Sequence, residues 1–351
     1  MVSGPARVVG MGHALPAAYS QAAVWDGFFA EHYRDVRIAE QLFANSGVQT
    51  RHSVANPVDE DVSRWGTAAR MQRYLAEALP LGKDAVASAL ADAGVDPADV
   101  GLFAVASCTG YVTPGVDIRL ARDLGMSDRV RRLFVGHMGC YAALPGIGTV
   151  ADFTVARQRP SVLLCLELTS LHIQPPSAEV DQVVAHALFA DAAAAVVLQP
   201  VPAGRPGFEV LDVVAHTDVS TAEHMTWDVT DLGFRMGLSP RVPAVLARHV
   251  RGVVDELLAA HGLGLADVDG WAAHPGGRRI LEVVQRRLEL PAEALHHSYA
   301  VLRDHGNCSS ATVLLVLERM RAAGAVAPGR HLVALAFGPG LTLYATLLRA
   351  T

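Results

Sequence analysis

Apolar positions along the 351 residues fall into two alternating kinds. Short unbroken apolar runs, bounded by Gly, Pro, Asp or Ser, read as strands covered on both faces. They occupy residues 6–11, 99–107, 133–135, 161–166, 193–198, 208–216, 269–273, 331–337 and 341–348. Longer stretches, with small and apolar residues three and four apart, read as helices packed on those strands. These cover residues 22–44, 67–93, 114–124, the segment after Cys140, 182–190, 242–261, 279–288 and 309–322. Gly94 stops the longest of them. Strands alternating with helices predict an α/β protein whose sheets carry helices on their faces.

The two halves echo each other. Residues 94–105 resemble residues 262–273, with Asp99 opposite Asp267, and the same offset carries Cys140 to Cys308. Both cysteines open a helix rich in small residues, and an apolar strand follows each about twenty residues on. A duplicated α/β unit is the expectation, its halves packed about a pseudo-two-fold axis. The Pro- and Gly-rich segment 200–207 separates them, and we divide the chain into 1–203 and 204–351.

Composition narrows the partners. Hydrophobic residues make up 51%, enough for a large core, and the net charge of −6 gives no electrostatic case for nucleic acid. None of the four cysteines (Cys108, Cys140, Cys165, Cys308) stands in a Cys-x-x-Cys pair, so no metal site is expected. Apolar runs are interrupted, as Asp191 interrupts 187–199, and residues 1–14 lack the pattern of a signal peptide. No membrane span and a cytoplasmic location are therefore expected.

Cys140 carries the candidate chemistry. The apolar run before it, the turn at Gly136 and the small-residue helix after it put the thiol near a helix N-terminus. There the helix dipole favours an anion, and a thiol loses its proton more readily. A cysteine among Gly and Ala is more often a small core residue. His274 ends a strand and is followed by Pro275-Gly276-Gly277, and Asn307 sits beside the repeat partner of Cys140. Strand ends meeting helix starts are where α/β folds build sites, so Cys140, His274 and Asn307 are expected to converge.

The motifs in their order resemble the type III polyketide synthases, chalcone-synthase-like condensing enzymes of the thiolase superfamily. The residues carrying the likeness are Gly139-Cys140, Leu188-Phe189-Ala190-Asp191, Ala273-His274-Pro275-Gly276-Gly277, Gly306-Asn307-Cys308-Ser309-Ser310 and Phe337-Gly338-Pro339-Gly340-Leu341-Thr342. The resemblance implies a thiolase-like five-layered αβαβα fold, a homodimer, and a Cys-His-Asn triad falling on Cys140, His274 and Asn307. It implies gatekeeper phenylalanines at Phe189 and Phe234. It also implies a substrate cavity touched by Cys108, Glu167, Thr169, His172, Met225, Ser309, Gly338 and Pro339. Arg51, in an arginine-bearing turn, becomes the first candidate for a CoA phosphate contact, ahead of Arg278 and Arg279. Acyl-CoA and malonyl-CoA are then substrates, and no metal or redox cofactor is needed.

The residue types suit that chemistry. A Cys140 thiolate, paired with His274, would take the starter acyl group as a thioester. Malonyl-CoA would lose carbon dioxide, and His274 and Asn307 would donate hydrogen bonds to the enolate oxygen, each such donor being worth about 3–4 kcal/mol of barrier. The chain departs from the family in places. It has Ala190-Asp191-Ala192 for Gly-Asp-Gly, Ala336 for a glycine, bulky Tyr141 after the cysteine, His172 for a threonine and Met225 for a glycine. Cys108 stands where some bacterial members forming naphthalene products carry a second cavity cysteine. His172 is either a second acid/base group or a polar wall residue. A single-condensation enzyme of the ketoacyl-ACP synthase III kind shares the triad and is the nearest rival. A non-catalytic CoA- or acyl-binding scaffold is the rival from another class.

Overall fold

The structure is a computed structural model describing residues 5–201 and 205–351. The expected division between residues 203 and 204 lies outside the described residues. In the first half come β1 (Ala6–Ala14), α1 (Thr67–Ala93), β2 (Leu102–Ala106), α2 (Val116–Asp123), β3 (Arg131–Val135), α3 (Ala143–Arg157), β4 (Ser161–Leu168), α4 (Val180–Leu188) and β5 (Asp191–Pro200). The second half begins with β6 (Phe208–Thr217), a ribbon of β7 (Met225–Thr230) and β8 (Gly233–Leu238), and α5 (Val242–Ala259). It continues through β9 (Val268–Ala273), α6 (Arg278–Arg287), α7 (His296–His305), α8 (Ala311–Ala322), β10 (His331–Gly338) and β11 (Thr342–Ala350).

Strand order is β3-β2-β4-β5-β1 in the first half and β6-β11-β10-β9 in the second. β1 meets β6 only through Arg7 opposite Glu209 and Val8 opposite Phe208, which joins the two into one nine-stranded sheet. The series β2-β4-β5-β1 recurs as β9-β10-β11-β6 with the same parallel, antiparallel, antiparallel pairings. The internal repeat is thus a repeat of topology. α3 begins at Ala143 and α8 at Ala311, the same offset that relates Cys140 to Cys308.

Three apolar layers hold the fold. α1 covers the outer face of the first half-sheet, with Val86, Phe103, Leu164 and Val197 fully buried between them. α3 and α8 lie between the half-sheets, where Leu144, Ile147, Leu163, Leu314 and Ala334 make a shared core. α5 and α6 cover the outer face of the second half-sheet over Val250, Leu281, Leu335 and Ala345. Helix, sheet, helix, sheet, helix gives five layers, a thiolase-like fold. Each such Leu, Val or Ile contributes about 1.5–3 kcal/mol by leaving water. Close approach needs small residues: a Cβ on Gly10 of β1 would lie 2.3 Å from the Ala89 carbonyl oxygen of α1.

Sequence periodicity located α1 to the residue, with Gly94 in the left-handed region at its end (φ 64°). The stretch 22–44 is not one helix. It runs from Gln21 to His32 through a π-turn, breaks at Tyr33 and resumes over Ala39–Ala44. Tyr33 leaves helical geometry, and its hydroxyl meets His186 Nδ1 in the interior at 2.5 Å. Among the described residues no helix is long and apolar enough to cross a membrane.

Candidate active site

Cys140 lies in a 3₁₀ turn, Gly139–Tyr141, just before α3. Gly139 adopts φ 70°, and a Cβ there would sit 3.0 Å from Pro339. A Cβ on Gly338 would sit 2.9 Å from the Tyr141 ring and 3.4 Å from the Cys140 amide. Phe337-Gly338-Pro339 therefore clamps the Cys140 turn. The bulky Tyr141 ring stacks on Tyr344 at 5.4 Å.

His274 follows β9 and is tied to β10 by its amide, which donates to the Leu335 carbonyl at 2.7 Å. Its ring stands edge-on to Phe337, 5.9 Å away, the residue next to the Gly338 that touches Cys140. The ring is 1% exposed, yet neither nitrogen has a hydrogen-bond partner. Buried polar atoms are nearly always bonded, so an orphaned pair calls for a reason.

Asn307 is held by its backbone. Its amide donates to the Leu188 carbonyl at 2.8 Å and its carbonyl accepts from the Ala190 amide at 3.0 Å, which aligns it with Phe189. Its side-chain oxygen accepts from the Ser309 amide at 2.9 Å, so the NH₂ end is left to donate.

The resting charges correct one expectation. Burial pushes the Cys140 thiol up to about 12, although hydrogen bonds from the Ser309 hydroxyl and the Asn307 amide pull the other way. The helix end does not make this thiol acidic, because losing water costs more than a partial dipole returns. Burial likewise pulls His274 down to about 3. Taken singly, each group is held neutral by burial, against the thiolate–imidazolium pair the sequence suggests.

Next to the thiol is a buried carboxyl. Glu167, ending β4, accepts from the Cys108 amide at 3.0 Å, the Thr109 hydroxyl at 2.9 Å and the Ser310 hydroxyl at 2.5 Å. Burial raises it to about 7 against the pull of those donors. The Cys108 thiol reaches Glu167 at 3.4 Å and the Ser309 hydroxyl at 3.5 Å. Ser309 holds a left-handed backbone (φ 48°), costly for a residue with a Cβ and typical of functional sites.

A cavity lies behind Phe189, bordered by Thr169, His172, Trp227, Phe234 and Met236. Its free space is about 40 Å³, roughly two or three waters. Thr169 spends its hydroxyl on the Ala190 carbonyl at 2.8 Å. His172 settles as a wall residue: Nε2 donates to the Thr109 carbonyl at 2.7 Å, and Nδ1 accepts from the Phe234 amide at 2.9 Å. Burial holds it near 3, and its ring stacks on Phe234 at 4.5 Å. It has no free nitrogen for acid/base work.

Two expected contacts are corrected. Arg51 is not a phosphate-binding surface group. It is 6% exposed and donates to the carbonyls of His186 (2.7 Å), Ala187 (2.9 Å) and Phe189 (3.3 Å), and to the Gln21 side chain. It caps the orphan carbonyls at the end of α4. Burial lowers it to about 10. Arg278 and Arg279 are exposed, Arg278 paired with Glu282 at 3.0 Å. Met225 packs against the outer core of the second half and does not border the cavity. Trp227, two residues on, does. The sequence reading missed it, though strand periodicity puts it on the Met225 face.

Comparison with known proteins gives one answer. Residues 1–202 match the family described as chalcone and stilbene synthases, N-terminal domain, and residues 212–351 match its C-terminal domain. A 1,3,6,8-tetrahydroxynaphthalene synthase of Streptomyces peucetius subsp. caesius is 36% identical over 90% of this chain and 84% of that protein. The alpha-pyrone synthesis polyketide synthase-like Pks18 of Mycobacterium tuberculosis is 32% identical over 97% of this chain and 94% of its own. The structure of PKS-I from the brown alga Ectocarpus siliculosus superposes with a TM-score of 0.92 at 28% identity, covering 99% of both chains. The 1,3,6,8-tetrahydroxynaphthalene synthase of Streptomyces coelicolor A3(2) also gives 0.92, at 27% identity over 98% of this chain and 99% of that one.

Proposed function

The chain belongs to the chalcone and stilbene synthase family and is a type III polyketide synthase; within that class we propose that Cys140, His274 and Asn307 are its catalytic triad, acting on acyl-CoA and malonyl-CoA in a cytoplasmic homodimer. The single observation that carries the triad is the orphaned imidazole of His274, beside the loop that clamps Cys140.

As the Cys140 sulfur attacks the starter thioester, its proton passes to His274. Each group alone is kept neutral by burial. Created together, the two charges attract across a medium of low dielectric, which offsets part of that cost. CoA thiol leaves with the proton, and the acyl group stays on Cys140. Malonyl-CoA then loses carbon dioxide, and the enolate oxygen accepts hydrogen bonds from His274 and the side-chain NH₂ of Asn307. The carbanion attacks the Cys140 thioester. This expels the Cys140 thiolate, which takes up a proton from solvent through His274, and leaves a chain two carbons longer on CoA, ready to reload. None of these steps asks for a metal or a redox group. Repeated rounds end in ring closure to a pyrone or phenol.

The test is incubation of purified protein with malonyl-CoA and a panel of acyl-CoA starters, with products read by mass. Products carrying several two-carbon units are expected, and Cys140→Ala should make none. Products from Cys140→Ala identical to wild type would refute the mechanism. A single added unit throughout would favour a one-step condensing enzyme.

A further inference from the structure

We propose that Arg51 is a positioning residue for malonyl decarboxylation: it holds the backbone that registers Asn307 against the first half of the fold. The inference rests on the functional reading above. Arg51 is buried and spends its charge on neutral acceptors. Nη1 donates to the carbonyls of His186 at 2.7 Å and Phe189 at 3.3 Å. Nη2 donates to the Ala187 carbonyl at 2.9 Å and to the Gln21 side-chain oxygen. Reaching three carbonyls at once needs the planar fork of a guanidinium, which an ammonium does not have. The group is lowered only to about 10, so it stays charged at neutral pH.

The bonds of Asn307 interleave with these. The carbonyls of His186, Ala187 and Phe189 go to Arg51, and the Leu188 carbonyl between them accepts from the Asn307 amide at 2.8 Å. The next amide, of Ala190, donates to the Asn307 carbonyl at 3.0 Å. One stretch of backbone is therefore shared by an arginine of the first half and an asparagine of the second. Asn307 takes its place across the two halves from where that stretch is held.

The short strand that carries Arg51 grips the other side of Asn307 as well. The Gln49 amide donates to the Arg303 carbonyl at 2.8 Å. His52 donates from Nδ1 to the Pro16 carbonyl at 2.9 Å, which leaves Nε2 to accept from His305 Nδ1 at 3.2 Å. Arg303 and His305 close α7, and Gly306 and Asn307 follow directly. The junction has no slack: Gly306 adopts φ 74°, and a Cβ there would sit 3.0 Å from the Leu188 carbonyl oxygen. Residues 49–52 thus hold both backbones that flank Asn307. Because the Ser309 amide fixes the Asn307 side-chain oxygen, the aim of the NH₂ follows the backbone. A misplacement of about 1 Å at a reacting centre costs on the order of 10²-fold in rate.

The experiment is a double-mutant cycle on the full-length protein, with two readouts. Carbon dioxide release from malonyl-CoA reports the step that uses Asn307, and intact mass after mixing with an acyl-CoA starter reports loading of Cys140, which does not use it. Arg51→Met should slow carbon dioxide release by about 10–10²-fold and leave loading near the wild-type rate. Asn307→Ala should slow release by about 10²–10³-fold. Adding Arg51→Met to Asn307→Ala should slow it no further, because the amide that Arg51 aims is already gone. Should Arg51→Met fail to fold, Arg51→Lys keeps the charge without the fork. It should lose less rate, and again none in the Asn307→Ala background. Wild-type release from a folded Arg51 variant would overturn the inference. So would a loss that multiplies in both backgrounds, or one that slows loading equally, since either marks a merely structural arginine. All three leave the functional reading intact. Wild-type release from Asn307→Ala would overturn the triad and the inference with it.

Discussion

His172 and His274 both lie buried, and burial pulls each down to about 3. Their hydrogen bonding is opposite. His172 gives one nitrogen to a carbonyl and takes an amide on the other, so its ring is a strut between the loop after β2 and the β8 ribbon. His274 is bonded at neither nitrogen, although it is as well buried. A lowered pKa therefore does not mark the reacting group here. The marker is a polar side chain carried into the interior with no resident partner, at a cost to stability, beside a clamped thiol. His172 supports the cavity wall, whereas in the proposed mechanism the vacant nitrogens of His274 serve a substrate oxygen and a proton.

Removing each imidazole separates the two roles. His274→Ala should lower the condensation rate by about 10²–10⁴-fold, the range for losing a positioned proton carrier. It should cost less stability than the matching change at His172. His172→Ala removes the same ring but orphans the Thr109 carbonyl and the Phe234 amide, a further loss of roughly 2–6 kcal/mol at 1–3 per group. Denaturant titration of the two variants, with turnover measured alongside, checks both. Equal stability losses would erase the distinction. His172→Gln, which can still donate and accept, should recover part of the lost stability, whereas His274→Gln should recover little of the lost rate.

A smaller effect comes from the buried carboxyl of Glu167. Glu167 is raised from the ordinary carboxyl value to about 7, so the folded state holds a proton that the unfolded state has already released. Its contribution to stability is present below the unfolded value of about 4.5 and is lost as pH rises toward 7. The slope is at most about 1.4 kcal/mol per pH unit. Glu167→Gln should flatten the melting temperature across this window and gain on wild type at pH 8. A variant that follows the wild-type curve would mean that Glu167 does not set it.

Much of this was legible beforehand. The ends of α1 follow from helical spacing and Gly94, and the repeat offset from Cys140 to Cys308 reappears in the first residues of α3 and α8. His274 could be placed at a strand end because Pro275-Gly276-Gly277 stops the strand. The failures are all tertiary. Arg51 sits on a short strand between Thr50 and His52 and reads as a surface cation, until the fold brings the end of α4 over it. Whether His172 is bonded or free depends on Thr109 and Phe234, residues far off in the chain. Proximity to a helix end suggested an acidic Cys140, but how much water the site excludes is set by every layer around it.

Decarboxylation of malonyl-CoA offers the most direct measurement, because it needs the oxyanion donors and not the thiol. In a Cys140→Ala background, carbon dioxide release should persist. Adding His274→Ala should reduce it by about 10²–10³-fold, the effect of deleting one oxyanion donor, while adding His172→Ala should leave it close to the background rate. Release that survives the loss of His274, or that collapses equally with either histidine, would contradict the assignment.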